Sequence, residues 1–196
     1  MIKKIIFVTG NAGKVTSLNK YLSKIGYETV QTDLSIIEPQ ADTVEQVCLA
    51  KAKEAYTILG ESLVVNDSGF CIDELNGFPG PYTKYVIETV GAEGIVRMMD
   101  NLNNRNCHFV QALTYVDDKG QMKTFTENSE RGTIAKEVDS DSHPDDWSDL
   151  WKIYIPDGYD KTLNQIIGKD DKAFHERKKK TAVFGQLADY LVKNQF

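Results

Sequence analysis

The stretch that decides the fold is the apolar run Ile5-Ile6-Phe7-Val8, followed directly by Thr9-Gly10-Asn11-Ala12-Gly13-Lys14. A continuous apolar run with β-branched members predicts a strand that is buried on both faces of a sheet. After it, apolar residues recur at helical spacing up to Gly26, a typical helix stop: Val15, Leu18, Leu22 and Ile25. The chain therefore begins as strand, loop and helix.

Strand-like and helix-like segments continue to alternate along the rest of the chain. The predicted elements are, in order, an extended segment at 28–31, a helix at 44–59, a strand at 63–65, a long loop at 67–82, a helix around 95–102, a hairpin of 107–116 and 121–126, a strand from 132 and a final helix around 183–191. This alternation predicts an α/β fold with a central sheet. Because no repeat or linker interrupts it, we expect a single domain over residues 1–196.

Composition excludes several classes of function. The 23 basic and 29 acidic residues give a net charge of −6, which argues against a broad nucleic-acid or anionic-membrane surface. No apolar run approaches the roughly 20 residues that span a bilayer, and the run ending at Val8 is too short for the core of a secretory signal. Cys48, Cys71 and Cys107 form no metal-type pair, so we expect reduced, buried thiols, no transition metal and a cytoplasmic location.

The loop from Thr9 to Lys14 is the first candidate site. Free N–H groups at a helix N-terminus, a glycine and a lysine one turn later suit a polyphosphate. It is not a Walker A loop, because Val8 and Val15 stand where that motif requires glycine and Ser/Thr. The alternative is an ordinary turn capped by Asn11 or Thr9.

The second candidate site is Asn66-Asp67-Ser68-Gly69, placed after the buried strand at 63–65. Ligands of α/β sheets collect at the carboxyl ends of strands, where an aspartate can hold a metal or orient a water. The alternative is an Asx-turn that ends the strand. Glu38 lies in an intervening loop and could supply a second carboxylate for the Mg²⁺ that a polyphosphate requires.

Taken together, these motifs resemble the inosine triphosphate pyrophosphatase family. The matching residues are Thr9-Gly10-Asn11-x-x-Lys14, Glu38-x-Gln40, Thr43 with Lys51-Ala52, Asp67-Ser68-Gly69-Phe70-x-Ile72-x-x-Leu75-x-Gly77-x-Pro79-Gly80-Pro81-Tyr82 and Pro156-Asp157-Gly158-Tyr159. The resemblance implies a homodimeric α/β enzyme with an elongated, curved mixed sheet flanked by helices, and two lobes around a nucleotide cleft. It also implies Mg²⁺-dependent hydrolysis of non-standard purine triphosphates such as ITP, dITP and XTP to the monophosphate and pyrophosphate.

The resemblance also assigns roles to individual residues. It implies that Glu38 and Asp67 bind the metal, that Asp67 activates water and that Lys51 supports the phosphate end as a catalytic residue. Substrate contacts on the phosphate side fall to Thr9, Asn11, Lys14 and Ser68.

The base-recognition half of the family pattern differs in this chain. An ungapped count places Ser148-Asp149-Leu150-Trp151 where the family has Phe-Gly-Trp/Tyr-Asp-Pro, so a slip is needed for Trp147 or Trp151 to stack on the base and for Asp149 to read it. The Ser-His-Arg motif is replaced by Arg177-Lys178-Lys179 or, in another frame, by His175-Glu176-Arg177. We expect base-side substrate contacts from Trp151, Lys172, His175, Arg177, Lys178 and Lys179. These changes indicate altered substrate choice, relaxed selectivity or reduced activity.

Two other functions compete with this interpretation. One is a nucleotide-binding regulatory protein with weak or no catalysis, favoured by the altered base motifs. The other, RNA binding through Arg177 to Lys180, is weaker because that basic run is short and lacks interleaved aromatics. The aspartate-rich stretch 139–149 does not fit a calcium loop, since Pro144 and Leu150 stand at the glycine and glutamate positions counted from Asp139.

Overall fold

The computed structural model of the chain describes residues 2–141, 148–167 and 183–194. The strands are β1 (Lys3–Val8), β2 (Tyr27–Thr32), β3 (Leu63–Ile72), β4 (Pro79–Gly80), β5 (Asn106–Val116), β6 (Met122–Ile134) and β7 (Tyr154–Pro156). The helices, numbered in order among the described residues, are α1 (Ala12–Leu22), α2 (Val44–Leu59), α3 (Thr83–Thr89), α4 (Gly91–Met98), α5 (Leu163–Ile167) and α6 (Val183–Lys193). In this part of the chain every helix is too short or too polar to cross a lipid bilayer.

The strands form a mixed sheet in the order β2-β1-β3-β5-β6-β7, with β4 beside β3. β1 is parallel to β2, with Val8 opposite Thr32, and parallel to β3, with Val8 opposite Val65. β3 continues beyond the end of β1 and pairs antiparallel with β4 at Phe70 and Cys71. The predicted α/β class, with a mixed sheet flanked by helices, is confirmed.

The chain forms two compact units, each with its own apolar core. Within the described residues the first comprises 2–68, 111–127 and 183–194, and the second 69–110, 128–141 and 148–167. The core of the first unit includes Ile5, Phe7, Leu18, Leu22, Val64, Leu113 and Leu187, and that of the second Phe70, Ile72, Ile95, Met99, Ile153 and Tyr154. The single domain over residues 1–196 stays a prediction.

Local signals at the start of the chain are confirmed. α1 is capped by Asn11, and Gly26 adopts a left-handed conformation with φ of 82° directly after the turn Ser23–Ile25. α2 begins at Val44 with a reciprocal capping box between Thr43 and Gln46. The predicted cap before α1 and the predicted stop at Gly26 are confirmed, whereas the capping box of α2 was not predicted.

The long loop predicted at 67–82 is wrong. β3 runs on to Ile72, a 3-10 turn follows at Asp73–Leu75, and β4 pairs back onto β3. Polar residues interrupt the apolar pattern at Asp67 and Ser68, which hides the strand from a periodicity argument. The predicted hairpin strand 121–126 and the strand from 132 are likewise one strand, β6, and the predicted helix around 95–102 is α4, with α3 before it.

Gly132 is needed for the close pairing of β6 with β7. It lies opposite Pro156, and a Cβ built on it would lie 2.2 Å from the Ile155 carbonyl oxygen and 2.5 Å from the Tyr154 ring. We expect Gly132→Ala to lower the free energy of unfolding by about 2 kcal/mol, because neither backbone nor buried ring can move freely. Urea denaturation measures the change in the free energy of unfolding. The control is Gly185→Ala, because the nearest atom to its Cβ would be in the Tyr21 ring at 3.5 Å. Equal stability of the two variants would contradict the packing argument.

Candidate active site

The loop between β1 and α1 is ordered by its own side chains. The Asn11 side-chain oxygen accepts a hydrogen bond from the Lys14 N–H at 3.1 Å, and the Thr9 hydroxyl accepts one from the Asn11 N–H at 3.1 Å. Asn11 therefore caps α1, as the turn alternative required, and Thr9 orders the turn just before that cap. The cap uses only the side-chain oxygen of Asn11. Its two side-chain N–H groups therefore remain able to donate hydrogen bonds to a phosphate oxygen.

Lys14 connects this loop to β3. Its Nζ lies 3.5 Å from the carbonyl oxygen of Asn66, the residue before Asp67. Burial lowers the pKa of Lys14, while the negative charge of Asp67 opposes that shift. The structure thus brings a partly desolvated ammonium to the strand that carries the candidate catalytic acid, and a desolvated cation attracts an anion more strongly than an exposed one.

This desolvation gives a stability prediction for Lys14. A lowered lysine pKa means that the folded state disfavours the charged form, a cost that is fully present at neutral pH and is relieved as the pH rises toward 10.5. We therefore expect Lys14→Met to raise the melting temperature at pH 7 by about 2 °C while it weakens phosphate binding. Thermal unfolding measures the effect, with the exposed Lys20→Met as control. A lower melting temperature for Lys14→Met alone would contradict it.

Lys51 lies between the two candidate metal ligands. Its Nζ donates to Glu38 Oε1 at 2.6 Å and lies 3.4 Å from Asp67 Oδ2. The Lys51 side chain is 18% exposed, Asp67 22% and Glu38 59%. Burial alone would lower the pKa of Lys51, but the charge of Asp67 and the hydrogen bond to Glu38 outweigh it, and the pKa is raised. Lys51 is thus a fixed cation across the neutral range.

Asp67 is oriented by its neighbours within β3. Its Oδ1 accepts the N–H of Ser68 at 2.9 Å, which leaves Oδ2 toward Lys51. The buried Asn66 donates from Nδ2 to the Ala112 carbonyl at 2.9 Å and so fixes the strand just before Asp67. β1 pairs with β3 only as far as Val65, so Asp67 lies just past the end of the parallel neighbour. The predicted placement at the end of a strand is wrong, but β3 still contacts the loop after β1 next to Asp67, through the Asn66 carbonyl and Lys14.

The residues present fit a hard divalent cation. Glu38 and Asp67 already converge on one positive charge, the Lys51 ammonium, within 3.4 Å. Among the residues that the structure describes, no group of three or more His, Cys, Asp or Glu side chains could hold a metal ion. A cation held here would therefore take its other ligands from substrate oxygens and water, as Mg²⁺ does in nucleotide enzymes.

The base-side predictions are not tested by this geometry. Trp151 is described, and it is 9% exposed within the apolar core of the second unit. Asp149, the alternative base-reading residue, accepts a hydrogen bond at Oδ1 from Lys152 Nζ at 2.9 Å. The remaining predicted contacts lie outside the described residues: Lys172, His175, Arg177, Lys178 and Lys179, together with Trp147.

Two further residues shape the site: Gln31, which was missed in the sequence, and Asn66, which was placed in the second candidate motif without a role of its own. Gln31 at the end of β2 donates from Nε2 to the Thr9 carbonyl at 3.0 Å. Asn66 fixes β3 and accepts from Lys14. Gln31 gives no sequence signal, because its role follows from the register between β1 and β2. Asn66 directly precedes Asp67, so a buried amide beside a candidate acid was the available signal.

Comparison with known proteins assigns this chain to a family. The model of the Ham1 family matches residues 5–186, which is nearly the whole chain. The chain belongs to the Ham1 family. The resemblance inferred from the motifs is thereby confirmed.

Ham1 family relatives have a matching length. A dITP/XTP pyrophosphatase of Methanopyrus kandleri is 36% identical over 86% of this chain and 87% of its own length. An inosine triphosphate pyrophosphatase of Kluyveromyces lactis is 31% identical over 96% of this chain and 95% of its own length. The Ham1 protein of Staphylococcus aureus, at 20% identity, superposes with a TM-score of 0.78 over 98% of this chain and all of that one, which shows the shared fold.

Proposed function

We propose that this Ham1 family protein is a nucleoside triphosphate pyrophosphatase that uses Mg²⁺ to hydrolyse non-standard purine triphosphates such as ITP, dITP and XTP. The observation that carries the proposal is the cluster of Glu38, Lys51 and Asp67 beside the loop that ends at Lys14. The names of the relatives, dITP/XTP pyrophosphatase and inosine triphosphate pyrophosphatase, support the same substrate class.

The reaction follows from the positions of these groups. Water attacks the α-phosphorus, the bond from that phosphorus to the bridging oxygen breaks, and pyrophosphate leaves. Asp67 accepts the proton of the attacking water, and Lys14 and Lys51 balance the negative charge that develops on the pyrophosphate. Mg²⁺, held by Glu38 and Asp67, would neutralise charge on the phosphate chain. Positioning and electrostatics supply most of the rate enhancement.

The test is pyrophosphate release from ITP, dITP, XTP, dUTP, GTP and ATP, each with Mg²⁺, at neutral and alkaline pH. We expect release of pyrophosphate with a preference for ITP, dITP and XTP. Release that is equal across all bases would leave the reaction class intact and show that the altered base motifs have relaxed selectivity. No release from any triphosphate, with tight nucleotide binding by calorimetry, would identify a nucleotide-binding regulatory protein instead.

We propose that the protein acts as a homodimer in the cytoplasm. Exposed apolar side chains in the second unit support a dimer, because a second copy of the chain would cover them. They are Phe78, Tyr82, Tyr85, Val90 and Met98, each 37–68% exposed. The three cysteines, all within the described residues, form no disulfide, in keeping with a reducing compartment. Light scattering after size-exclusion chromatography should give twice the 22.0 kDa chain mass. A monomer at micromolar concentration would overturn the dimer.

A further inference from the structure

Gln31 is placed to control the direction of a main-chain donor in the candidate active site. The Thr9 N–H donates to the Thr32 carbonyl at 2.9 Å, which extends the parallel pairing of β1 and β2 by one residue. β2 ends at Thr32, so it supplies no further main-chain N–H to donate to the Thr9 carbonyl. The Gln31 side-chain amide takes its place and donates to the Thr9 carbonyl at 3.0 Å.

Holding the Thr9 carbonyl fixes the N–H of Gly10. The two groups belong to one planar trans peptide and point in opposite directions. The carbonyl points toward β2, so the Gly10 N–H points toward the other side of β1, where β3 lies. That side carries Asn66, Asp67 and the Lys14 ammonium. Within the described residues the Gly10 N–H has no hydrogen-bond acceptor.

The Asp33 side chain lies beside Gly10, just after the end of β2. A Cβ built on residue 10 would lie 3.1 Å from Asp33 Oδ2, so a side chain there would require the exposed Asp33 carboxylate to shift by a few tenths of an ångström. The end of β2 therefore holds the two peptides that flank Thr9: the Thr32 carbonyl accepts the N–H of the Val8–Thr9 peptide, and the Gln31 side chain donates to the carbonyl of the Thr9–Gly10 peptide.

From this geometry we infer that Gln31 is a positioning residue, which aims the Gly10 N–H at an oxygen of the bound phosphate chain. The inference rests on the proposed function for the identity of the substrate, but its central claim concerns anion binding. An N–H that is aimed in advance costs no reorganisation when a charged oxygen binds. The donor serves the bound substrate and the transition state alike, so its loss affects KM more than kcat.

The experiment compares three variants of the full chain with wild type. Gln31→Met keeps the side-chain length and removes the donor. Gln31→Lys restores a donor to the Thr9 carbonyl, and Glu28→Met changes an equally exposed side chain on β2. Calorimetry with pyrophosphate and Mg²⁺ measures affinity, and the Gly10 amide proton is followed by NMR during the same titration. Steady-state assays with ITP give KM and kcat.

We expect Gln31→Met to weaken pyrophosphate binding and raise KM for ITP about tenfold, as for a lost hydrogen bond to a charged group, with kcat changed less than about threefold. Gln31→Lys and Glu28→Met should bind pyrophosphate as tightly as wild type, and the Gly10 amide should shift downfield only where the donor at position 31 is kept. The inference would be overturned if Gln31→Met bound pyrophosphate as tightly as wild type. It would also be overturned if Gln31→Lys lost as much affinity for pyrophosphate as Gln31→Met. If wild type hydrolyses no triphosphate, the proposed function fails, whereas the pyrophosphate titration still tests Gln31.

Discussion

Asp67→Asn lowers kcat/KM for ITP by about 10³-fold in the expected result, because it removes both a metal ligand and the group that takes the proton from water. The substitution keeps the shape of the side chain, and its oxygen can still accept the Ser68 N–H that now orients Asp67 at 2.9 Å. Asp67 is partly exposed, so the fold should survive. Continuous pyrophosphate release in saturating Mg²⁺ measures the loss.

The matched control for Asp67→Asn is Asp160→Asn, which changes an exposed aspartate in the second unit. It should keep wild-type kcat/KM. Asp67→Asn should also unfold within about 1 kcal/mol of wild type, as is usual for a partly exposed isosteric change. Activity within threefold of wild type in Asp67→Asn would exclude Asp67 as the metal and proton-accepting residue, whatever the melting temperature.

Lys51→Met has two expected effects of opposite sign. The ammonium now competes for Glu38 at 2.6 Å and Asp67 at 3.4 Å, so its removal should tighten nucleotide-free binding of Mg²⁺ by about tenfold. Turnover of ITP should nevertheless fall by about 10²-fold, because the charge that balances the departing pyrophosphate is lost. Calorimetry with Mg²⁺ alone and steady-state assays separate the two effects.

The control for Lys51→Met is Lys53→Met, which changes an exposed lysine two residues away on the same helix. It should change neither the Mg²⁺ affinity nor the turnover of ITP. Stability adds a further check. Since the pKa of Lys51 is raised, its stabilising contribution is fully present below about pH 10.5 and is lost only as the pH rises through the higher folded-state pKa. Without metal, Lys51→Met should therefore be less stable than wild type throughout the neutral range. Unchanged Mg²⁺ affinity would show that Lys51 does not occupy the metal position.

The part of the site that the sequence predicted is the part made by neighbours along the chain. The loop from Thr9 to Lys14 and the cap at Asn11 within it span six residues or fewer and leave a local pattern. Asp67 was identified as an acid beside a buried strand, although the strand proved to continue through it to Ile72. Periodicity failed there because polar residues face the site and break the apolar alternation.

The sequence by itself determined the α/β class, because the alternation of strand and helix patterns carries that information. From local spacing it predicted the phosphate-type loop, Asp67 and Glu38, and through the family resemblance it predicted Lys51. Only the tertiary structure decided how they act together. Lys51 meets residues 13 and 16 positions away, and Gln31 reaches Thr9 across 22 positions. Those distances depend on where β1 ends against β2 and β3. Strand register is a property of the packed sheet, so no local pattern could reveal that one ammonium lies between both carboxylates or that one glutamine aims the amide of Gly10.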